Sequence, residues 1–205
     1  MMDYPKYKAA AVQAAPVWLD LEASTEKACR LIEEAAGNGA KIIAFPEAFL
    51  PGYPWWILHG DPIMYGMKYW ERFYKNSVEI PGSTVSKLSA AAKNNDIYVS
   101  ISVTEKDGGS LYLTQLWFDN KGNLMGKHRK VKPTIGERTI WGEGDSSMMP
   151  VFATAELGRV GGLQCWEAYH RLSAKAMPVL SVLMVSLSQS RYQENWKESL
   201  MPKLI

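Results

Sequence analysis

Two short apolar segments on either side of an amphipathic segment constrain the fold of this chain more than any other feature. Residues 8–13 and 41–45 are mostly apolar, and prolines follow both of them. Between them, apolar residues recur at helical spacing at Ala28, Leu31, Ile32 and Ala35. A strand, a helix and a strand within about 40 residues form a βαβ unit, so the sequence predicts an α/β fold.

The elements predicted after this unit indicate a mixed sheet. They are, in chain order, a short helix over 69–74, a helix that Ser83 caps and that ends at 94–95, and strands over 97–103, 111–118, 124–129, 151–154 and 160–165. Turns rich in Gly, Asn and Asp separate most of these strands, as in antiparallel hairpins. We predict that the last strand runs directly into a helix that begins at Trp166.

Composition excludes several classes of protein. The chain has 205 residues, of which 47% are hydrophobic and 21% are charged, so it can bury the core of one domain and is neither disordered nor fibrous. Its formal net charge of +2 is too small to indicate a nucleic-acid partner or an anionic membrane.

Cysteine usage and the N-terminus predict a cytoplasmic protein. Cys29 and Cys165 show no metal-binding spacing, so we expect neither a disulfide scaffold nor a metal site. The first residues contain no apolar segment typical of a secretory signal. The uncharged run over 176–190 is shorter than the roughly 20 residues of a membrane span, so no membrane partner is expected.

Three reactive side chains follow predicted strands directly. Glu47, Lys130 and Cys165 occupy these positions, where a strand fixes a side chain beside an open crevice. A thiol at the start of a helix meets the positive end of the helix dipole, which favours the thiolate. A carboxylate can accept the thiol proton, and an ammonium can stabilise the negative charge that develops on a substrate.

The segments around these side chains resemble the signature segments of the nitrilase family, a branch of the carbon-nitrogen hydrolase superfamily. Residues 45–54, 128–134 and 161–167 resemble the three signatures in the correct order, and residues 137–144 resemble the stretch downstream of the family's lysine. Residues 11–16 are similar to the first strand of the family. The resemblance implies a four-layer α-β-β-α sandwich that is incomplete at its C-terminus.

The resemblance also implies a role for four residues. Cys165 is expected to be the nucleophile, Glu47 the general base, Lys130 the stabiliser of the transition state, and Glu137 the second glutamate that positions or protonates the substrate. Lys132 is the rival of Lys130, but the lysine directly after Arg129 matches the family better.

The implied reaction is the hydrolysis of a nitrile to a carboxylic acid and ammonia through a cysteine thioimidate and thioester. It requires no metal and no organic cofactor. The implied partners are a small-molecule nitrile and other copies of the chain in a homo-oligomer. Three alternatives stay open: a cyanide hydratase, an amidase of the same superfamily, or an inactive remnant that acts only in assembly.

Four aromatic residues near these positions have two interpretations. Tyr53, Trp55, Trp56 and Trp166 either pack their loops or line an apolar substrate pocket for an aliphatic or arylaliphatic nitrile.

The resemblance weakens after about residue 170. We therefore predict that residues 1–177 form the N-terminal part of a nitrilase domain and that 178–205 form an atypical tail. A truncation or a frameshift after about residue 170 is expected to produce this pattern.

Overall fold

The strands form two sheets in the computed structural model, which describes residues 6–59, 61–145, 149–169 and 181–182. The larger sheet has the order β1-β2-β3-β4-β5. Its strands are β1 (Ala9–Ala11), β2 (Ile42–Ala44), β3 (Tyr98–Asp107), β4 (Ser110–Phe118) and β5 (Leu124–Arg129). Strands β1, β2 and β3 are parallel, whereas β3, β4 and β5 are antiparallel. The predicted βαβ unit and the predicted mixed sheet are therefore confirmed.

The smaller sheet lies against the larger one. It contains β6 (Phe152–Thr154), β7 (Gly158–Gly161) and β8 (Ser181–Val182), with β6 and β7 antiparallel and β7 and β8 parallel. Trp117 of β4 contacts Phe152 of β6 at a ring distance of 5.8 Å. Ile42, Tyr98, Leu157 and Val160 complete this buried layer between the two sheets.

Three α-helices and three short 3-10 helices connect the strands of the described chain. The α-helices are α1 (Leu21–Gly37), α2 (Pro62–Lys75) and α3 (Ser83–Asn94), and the 3-10 helices are Trp55–Leu58, Ile135–Thr139 and Cys165–Tyr169. Within the described residues, none of these helices combines the length and the apolar character that a membrane crossing requires.

Helices α1 and α3 cover the face of the larger sheet that points away from the smaller sheet. Ala28 and Ile32 of α1 and Leu88 of α3 are fully buried in one apolar cluster with Val99 and other sheet residues. The described layers are thus helix, sheet and sheet, as predicted. The second helical layer of the predicted sandwich lies outside the described residues, as does all of the predicted tail except β8.

Two predicted helix starts are wrong for local reasons. Helix α2 begins seven residues before the predicted start at Tyr69, because the Asp61 carboxylate accepts hydrogen bonds from the N–H groups of Ile63 and Met64. Ser83 is not the cap of α3. Gly82 is the N-cap residue and Ser83 is the first residue of the helix. A glycine fits at position 82 because a Cβ there would lie only 2.5 Å from the carbonyl oxygen of Glu79.

Two predicted strand ends are also wrong. Strand β3 continues four residues past Val103 because its polar end is paired: Glu105 is buried and accepts hydrogen bonds from Arg129 and Thr114. Strand β7 ends at Gly161, four residues before Cys165. Cys165 therefore lies in a 3-10 turn beyond the strand and not at its last residue.

The helix-to-sheet core generates a test of stability. We expect Ile32→Ala to lower the free energy of unfolding by about 2–5 kcal/mol, because Ile32 is fully buried and its loss leaves a cavity. Urea unfolding followed by circular dichroism measures this change. Ile63→Ala is the matched control, since Ile63 is 72% exposed and its truncation should change stability by no more than about 0.5 kcal/mol. Equal effects of the two substitutions would contradict the described core.

Candidate active site

Three segments that follow strands converge at one edge of the larger sheet. Glu47 lies three residues after β2, Lys130 follows β5 directly, and Cys165 opens the 3-10 turn after β7. The Lys130 Nζ atom donates a hydrogen bond to Glu47 Oε1 at 2.8 Å and to Glu137 Oε2 at 2.7 Å. The structure therefore brings together all four residues that were predicted to be catalytic.

Lys130 is a buried cation between two carboxylates. Its side chain is only 1% exposed, so the ammonium requires opposite charges in contact with it. Burial lowers the pKa of Lys130, but the charges of Glu47 and Glu137 outweigh burial and raise the pKa above its usual value. Lys130 is thus positively charged at neutral pH. Its backbone N–H also donates to the carbonyl oxygen of Leu113 at 2.8 Å, which fixes the segment on β4.

Glu137 is held by its own helix turn and by Tyr53. It is the third residue of the 3-10 helix Ile135–Thr139, and its Oε2 atom accepts the backbone N–H of the capping residue Thr134 at 2.6 Å. The Tyr53 hydroxyl donates to Oε1 of Glu137 at 3.0 Å. Both oxygens of Glu137 are therefore fixed beside Lys130.

The thiol of Cys165 lies beside both glutamates. Its Sγ atom, one carboxylate oxygen of Glu47 and one of Glu137 all lie within 4.8 Å of one another. Burial and the charge of Glu47 raise the pKa of Cys165 to about 11, against the opposing charge of Lys130. The N–H of Trp166 at the start of the turn lowers this pKa, but burial and the charge of Glu47 outweigh it, so the prediction that the turn favours the thiolate is wrong for the resting site.

Glu47 is suited to exchange a proton with this thiol. Burial raises the pKa of Glu47 by more than the adjacent Lys130 lowers it, and the charge of Glu137 raises it further. A carboxyl with a raised pKa releases a proton less readily and accepts one more readily than an exposed carboxyl does.

Lys132, the rival of Lys130, is excluded from the cluster. It is exposed and forms an ion pair with Glu143, so only one of the two lysines reaches the carboxylates of Glu47 and Glu137.

The four predicted pocket aromatics lie in different environments. Tyr53, Trp55 and Trp56 are buried, whereas Trp166 is 61% exposed in the described structure. Tyr53 donates its hydroxyl hydrogen to Glu137 of the cluster, and its ring centroid lies 4.9 Å from that of Trp55. Trp56 packs against other aromatic rings, those of Trp18, Tyr69 and Phe73. This contact set favours the packing interpretation for Trp56.

Sequence reasoning missed a polar bridge between the loops of Glu47 and Cys165. The Ser102 hydroxyl donates to Gln164 Oε1 at 2.5 Å and accepts the backbone N–H of Ala48 at 2.9 Å. Ala48 follows Glu47, and Gln164 precedes Cys165. The signal in the sequence is the alternation of the small polar residues Ser100, Ser102 and Thr104 with apolar residues along β3, which is unusual for a strand buried on both faces.

Together, the layered α/β fold and the buried cluster of thiol, carboxylates and ammonium define a class of protein whose chemistry centres on a cysteine. The sequence model of the carbon-nitrogen hydrolase family matches residues 8–197, which is most of the chain and extends past the predicted boundary at residue 177. The chain therefore belongs to the carbon-nitrogen hydrolase family.

Individual curated proteins are similar to most of this chain. The chain is 65% identical to a nitrilase of Bacillus sp. over 177 residues and 42% identical to an aliphatic nitrilase of Rhodococcus rhodochrous over 178 residues. Each comparison covers 86% of this chain but 51% and 48% of the relative. The chain thus spans about half the length of the curated relatives that it matches.

A solved structure confirms the fold. A mutant of the Nesterenkonia amidase, described as from the nitrilase superfamily, superposes with a TM-score of 0.66 at 16% identity. The superposition covers 86% of this chain and 62% of the amidase. The predicted α/β sandwich of the nitrilase type is therefore confirmed.

The buried cation generates a prediction about stability and pH. We expect Lys130→Met to lower the free energy of unfolding by about 3–5 kcal/mol at about pH 8, because it leaves the buried carboxylates of Glu47 and Glu137 without their cation. Without the ammonium, the pKa of buried Glu47 lies further above its value in the unfolded chain. The substitution therefore lowers the free energy of unfolding less at low pH and more as the pH rises. Urea unfolding at about pH 5 and about pH 8 measures this difference.

Lys132→Met is the control for this prediction. Its exposed pair with Glu143 should contribute less than about 1 kcal/mol at either pH. A loss of stability in Lys130→Met that does not change with pH would contradict the proposed charge balance.

The position of the thiol generates a second prediction. We expect Glu47→Gln to lower the pKa of Cys165 from about 11 toward its ordinary value, because the substitution removes a neighbouring negative charge. The rate of Cys165 alkylation by iodoacetamide, followed by mass spectrometry from about pH 7 to about pH 12, reports this pKa. Glu143→Gln, at an exposed glutamate, should leave the profile unchanged. An unchanged or higher midpoint in Glu47→Gln would show that Glu47 does not act on the thiol.

Proposed function

We propose that this chain carries the catalytic site of a nitrilase, which hydrolyses a nitrile to a carboxylic acid and ammonia. The observation that carries the proposal is the meeting of Glu47, Lys130, Glu137 and Cys165 in one buried cluster. The relatives from Bacillus and Rhodococcus are described as nitrilases, and this supports the choice of a nitrile as substrate.

The first half of the proposed reaction forms a covalent intermediate. The Cys165 thiol transfers its proton to Glu47 as its sulfur attacks the nitrile carbon, and Glu47 then passes this proton to the nitrile nitrogen, which gives a thioimidate and restores the carboxylate. A thiol with a pKa of about 11 needs a base in contact when it attacks at neutral pH. The carboxylate of Glu47 lies within 4.8 Å of Sγ and supplies that base.

The second half releases the products. Water adds to the thioimidate carbon, and loss of ammonia leaves a thioester. A second water molecule, deprotonated by Glu47, attacks the thioester, so that the carboxylic acid leaves and the thiol is restored. Each nitrile thus consumes two water molecules and yields one acid and one ammonia.

Lys130 and Glu137 stabilise these steps from fixed positions. The ammonium of Lys130 lies beside Glu47 and stabilises the negative charge that develops on the nitrogen or oxygen of the substrate. Glu137 keeps Lys130 charged and in place and is the second glutamate that positions or protonates the substrate. Every group in this scheme belongs to the chain, so the reaction as written requires no metal or organic cofactor.

The substrate is proposed to be a small aliphatic or arylaliphatic nitrile. Tyr53 lies against Glu137 and Trp55, so an aromatic surface adjoins the polar cluster. Trp166, next to the nucleophile, is the further candidate for contact with an apolar substituent of the substrate.

We propose a cytoplasmic homo-oligomer as the working form. Cys29 and Cys165 are both free, and a catalytic thiol is preserved best in a reducing compartment. The exposed apolar residues Met64, Met67 and Trp70 of α2 support contact between copies.

Ammonia release tests the proposed reaction. We expect the chain to release ammonia and carboxylic acid from members of a panel of aliphatic, arylaliphatic and aromatic nitriles. Cys165→Ala should abolish this release, since it removes the nucleophile, whereas Cys29→Ala should retain it because Cys29 lies on α1, outside the cluster. Amide accumulation without ammonia would identify a hydratase, and turnover of amides but not of nitriles would identify an amidase. Equal rates for the chain and Cys165→Ala across the panel would refute the catalytic assignment.

A further inference from the structure

A buried histidine and a buried carboxylate outside the cluster join the segments that carry Lys130 and Cys165. Glu167 is two residues after Cys165, and His128 is two residues before Lys130. The Nε2 atom of His128 lies 3.2 Å from Oε1 and 3.0 Å from Oε2 of Glu167. A carboxylate only accepts hydrogen bonds, so Nε2 carries the hydrogen. Both side chains are buried.

The same carboxylate also accepts two backbone hydrogen bonds. Oε1 of Glu167 accepts the N–H of Val131 at 2.7 Å, and Oε2 accepts the N–H of Gln164 at 2.9 Å. Val131 directly follows Lys130, and Gln164 directly precedes Cys165. One carboxylate therefore fixes the backbone beside the cation to the backbone beside the thiol.

The turn that presents the thiol requires such a restraint. Cys165 has a φ angle of +52°, in the left-handed region that residues other than glycine rarely adopt. The N–H of Glu167 donates to the carbonyl oxygen of Gln164 at 3.1 Å while its carboxylate accepts the N–H of Gln164. These two hydrogen bonds close the turn around Cys165 and Trp166 from both sides, as a capping box does at a helix start.

The charge of Glu167 is stabilised in place. Burial raises the pKa of Glu167, but the hydrogen bonds and charge of His128, together with the N–H groups of Gln164 and Val131, outweigh burial and lower it. Glu167 is thus ionised and is an acceptor at neutral pH.

We propose that Glu167, held by His128, is a positioning residue that fixes the Cys165 thiol relative to Lys130 and Glu47. Where it concerns catalysis, this inference rests on the proposed function. Glu167 does not touch the reacting atoms. It sets the distance from the nucleophile to the base and the cation, and a displacement of about 1 Å in such a distance costs about 100-fold in rate.

The test measures the effect of Glu47→Gln twice, once in the otherwise unsubstituted chain and once in a chain that also carries Glu167→Gln. Glu47→Gln is expected to shift the pH midpoint of Cys165 alkylation by iodoacetamide. In the Glu167→Gln background, this shift should fall to roughly half or less, because the thiol no longer lies in register with Glu47. A merely structural role of Glu167 would leave the two shifts equal. Mass spectrometry of the Cys165 peptide separates its signal from that of Cys29.

Turnover gives the second readout. Glu167→Gln should lower kcat by about 100-fold with KM changed by less than about threefold, since it moves the reacting groups and removes no substrate contact. His128→Gln should act in the same direction, while Glu143→Gln, at an exposed glutamate, should match the unsubstituted chain.

The outcomes separate this inference from the proposed function. One outcome is that the chain releases no ammonia from nitriles but that Glu47→Gln shifts the alkylation midpoint less when Glu167→Gln is also present. The proposed function then fails and the positioning role stands. If ammonia is released and the shifts are equal in both backgrounds, the positioning role fails and the proposed function stands. Failure of both Glu167→Gln and His128→Gln to fold would also overturn the inference, because it would assign the pair to folding alone.

Discussion

The site depends on one constraint, the placement of a cation where water is largely excluded. The ammonium of Lys130 is almost completely buried, and such a charge is tolerated only when opposite charges contact it closely. Glu47 and Glu137 supply those contacts from segments that lie far from each other in the chain. Since each partner must come to Lys130, the ion cluster determines where the loops after β2 and β5 can lie. The same charges then set the protonation state of the thiol, because Cys165 lies within reach of both carboxylates.

Two glutamates in this chain use the same local device to hold a loop. Glu137 and Glu167 are each the third residue of a short 3-10 turn, and each accepts the backbone N–H of the residue that precedes its turn, at 2.6 and 2.9 Å. Each carboxylate also accepts a hydrogen bond from a side-chain nitrogen at the end of β5 or directly after it. The donor is Lys130 for Glu137 and His128 for Glu167. In each turn the backbone hydrogen bond fixes the glutamate, and the glutamate in turn fixes the side chain of Lys130 or His128. Lys130 and the buried His128 are therefore held by the same kind of local turn.

The sequence allowed prediction of what local patterns determine. The strand predicted over 124–129 has those bounds in the structure, and the strand predicted over 41–45 ends at Ala44, one residue early. These ends place Glu47 and Lys130 at one edge of the sheet. The bridge from Ser102 to Gln164 joins residues 62 positions apart, and no local pattern carries that contact. The protonation state of Cys165 was predicted wrongly for a related reason. A helix dipole is a local property of the chain, whereas burial and the charge of Glu47 depend on the folded surroundings of the thiol.

Close approach of backbone segments is what allows these long-range contacts to form. At Gly162, a Cβ atom would lie 2.6 Å from the side-chain amide of Gln115, and at Gly144 it would lie 2.3 Å from the carbonyl oxygen of Arg129. A larger residue at Gly144 would push its segment away from the backbone of Arg129, and one at Gly162 would force the side chain of Gln115 to move. Gly162 lies three residues before Cys165, and the N–H of Gly144 donates to the carbonyl oxygen of Lys130 at 2.9 Å. The geometry of thiol and ammonium therefore depends on these two glycines as well as on the charged residues, since side chains hydrogen-bond across loops only when the backbones come this close.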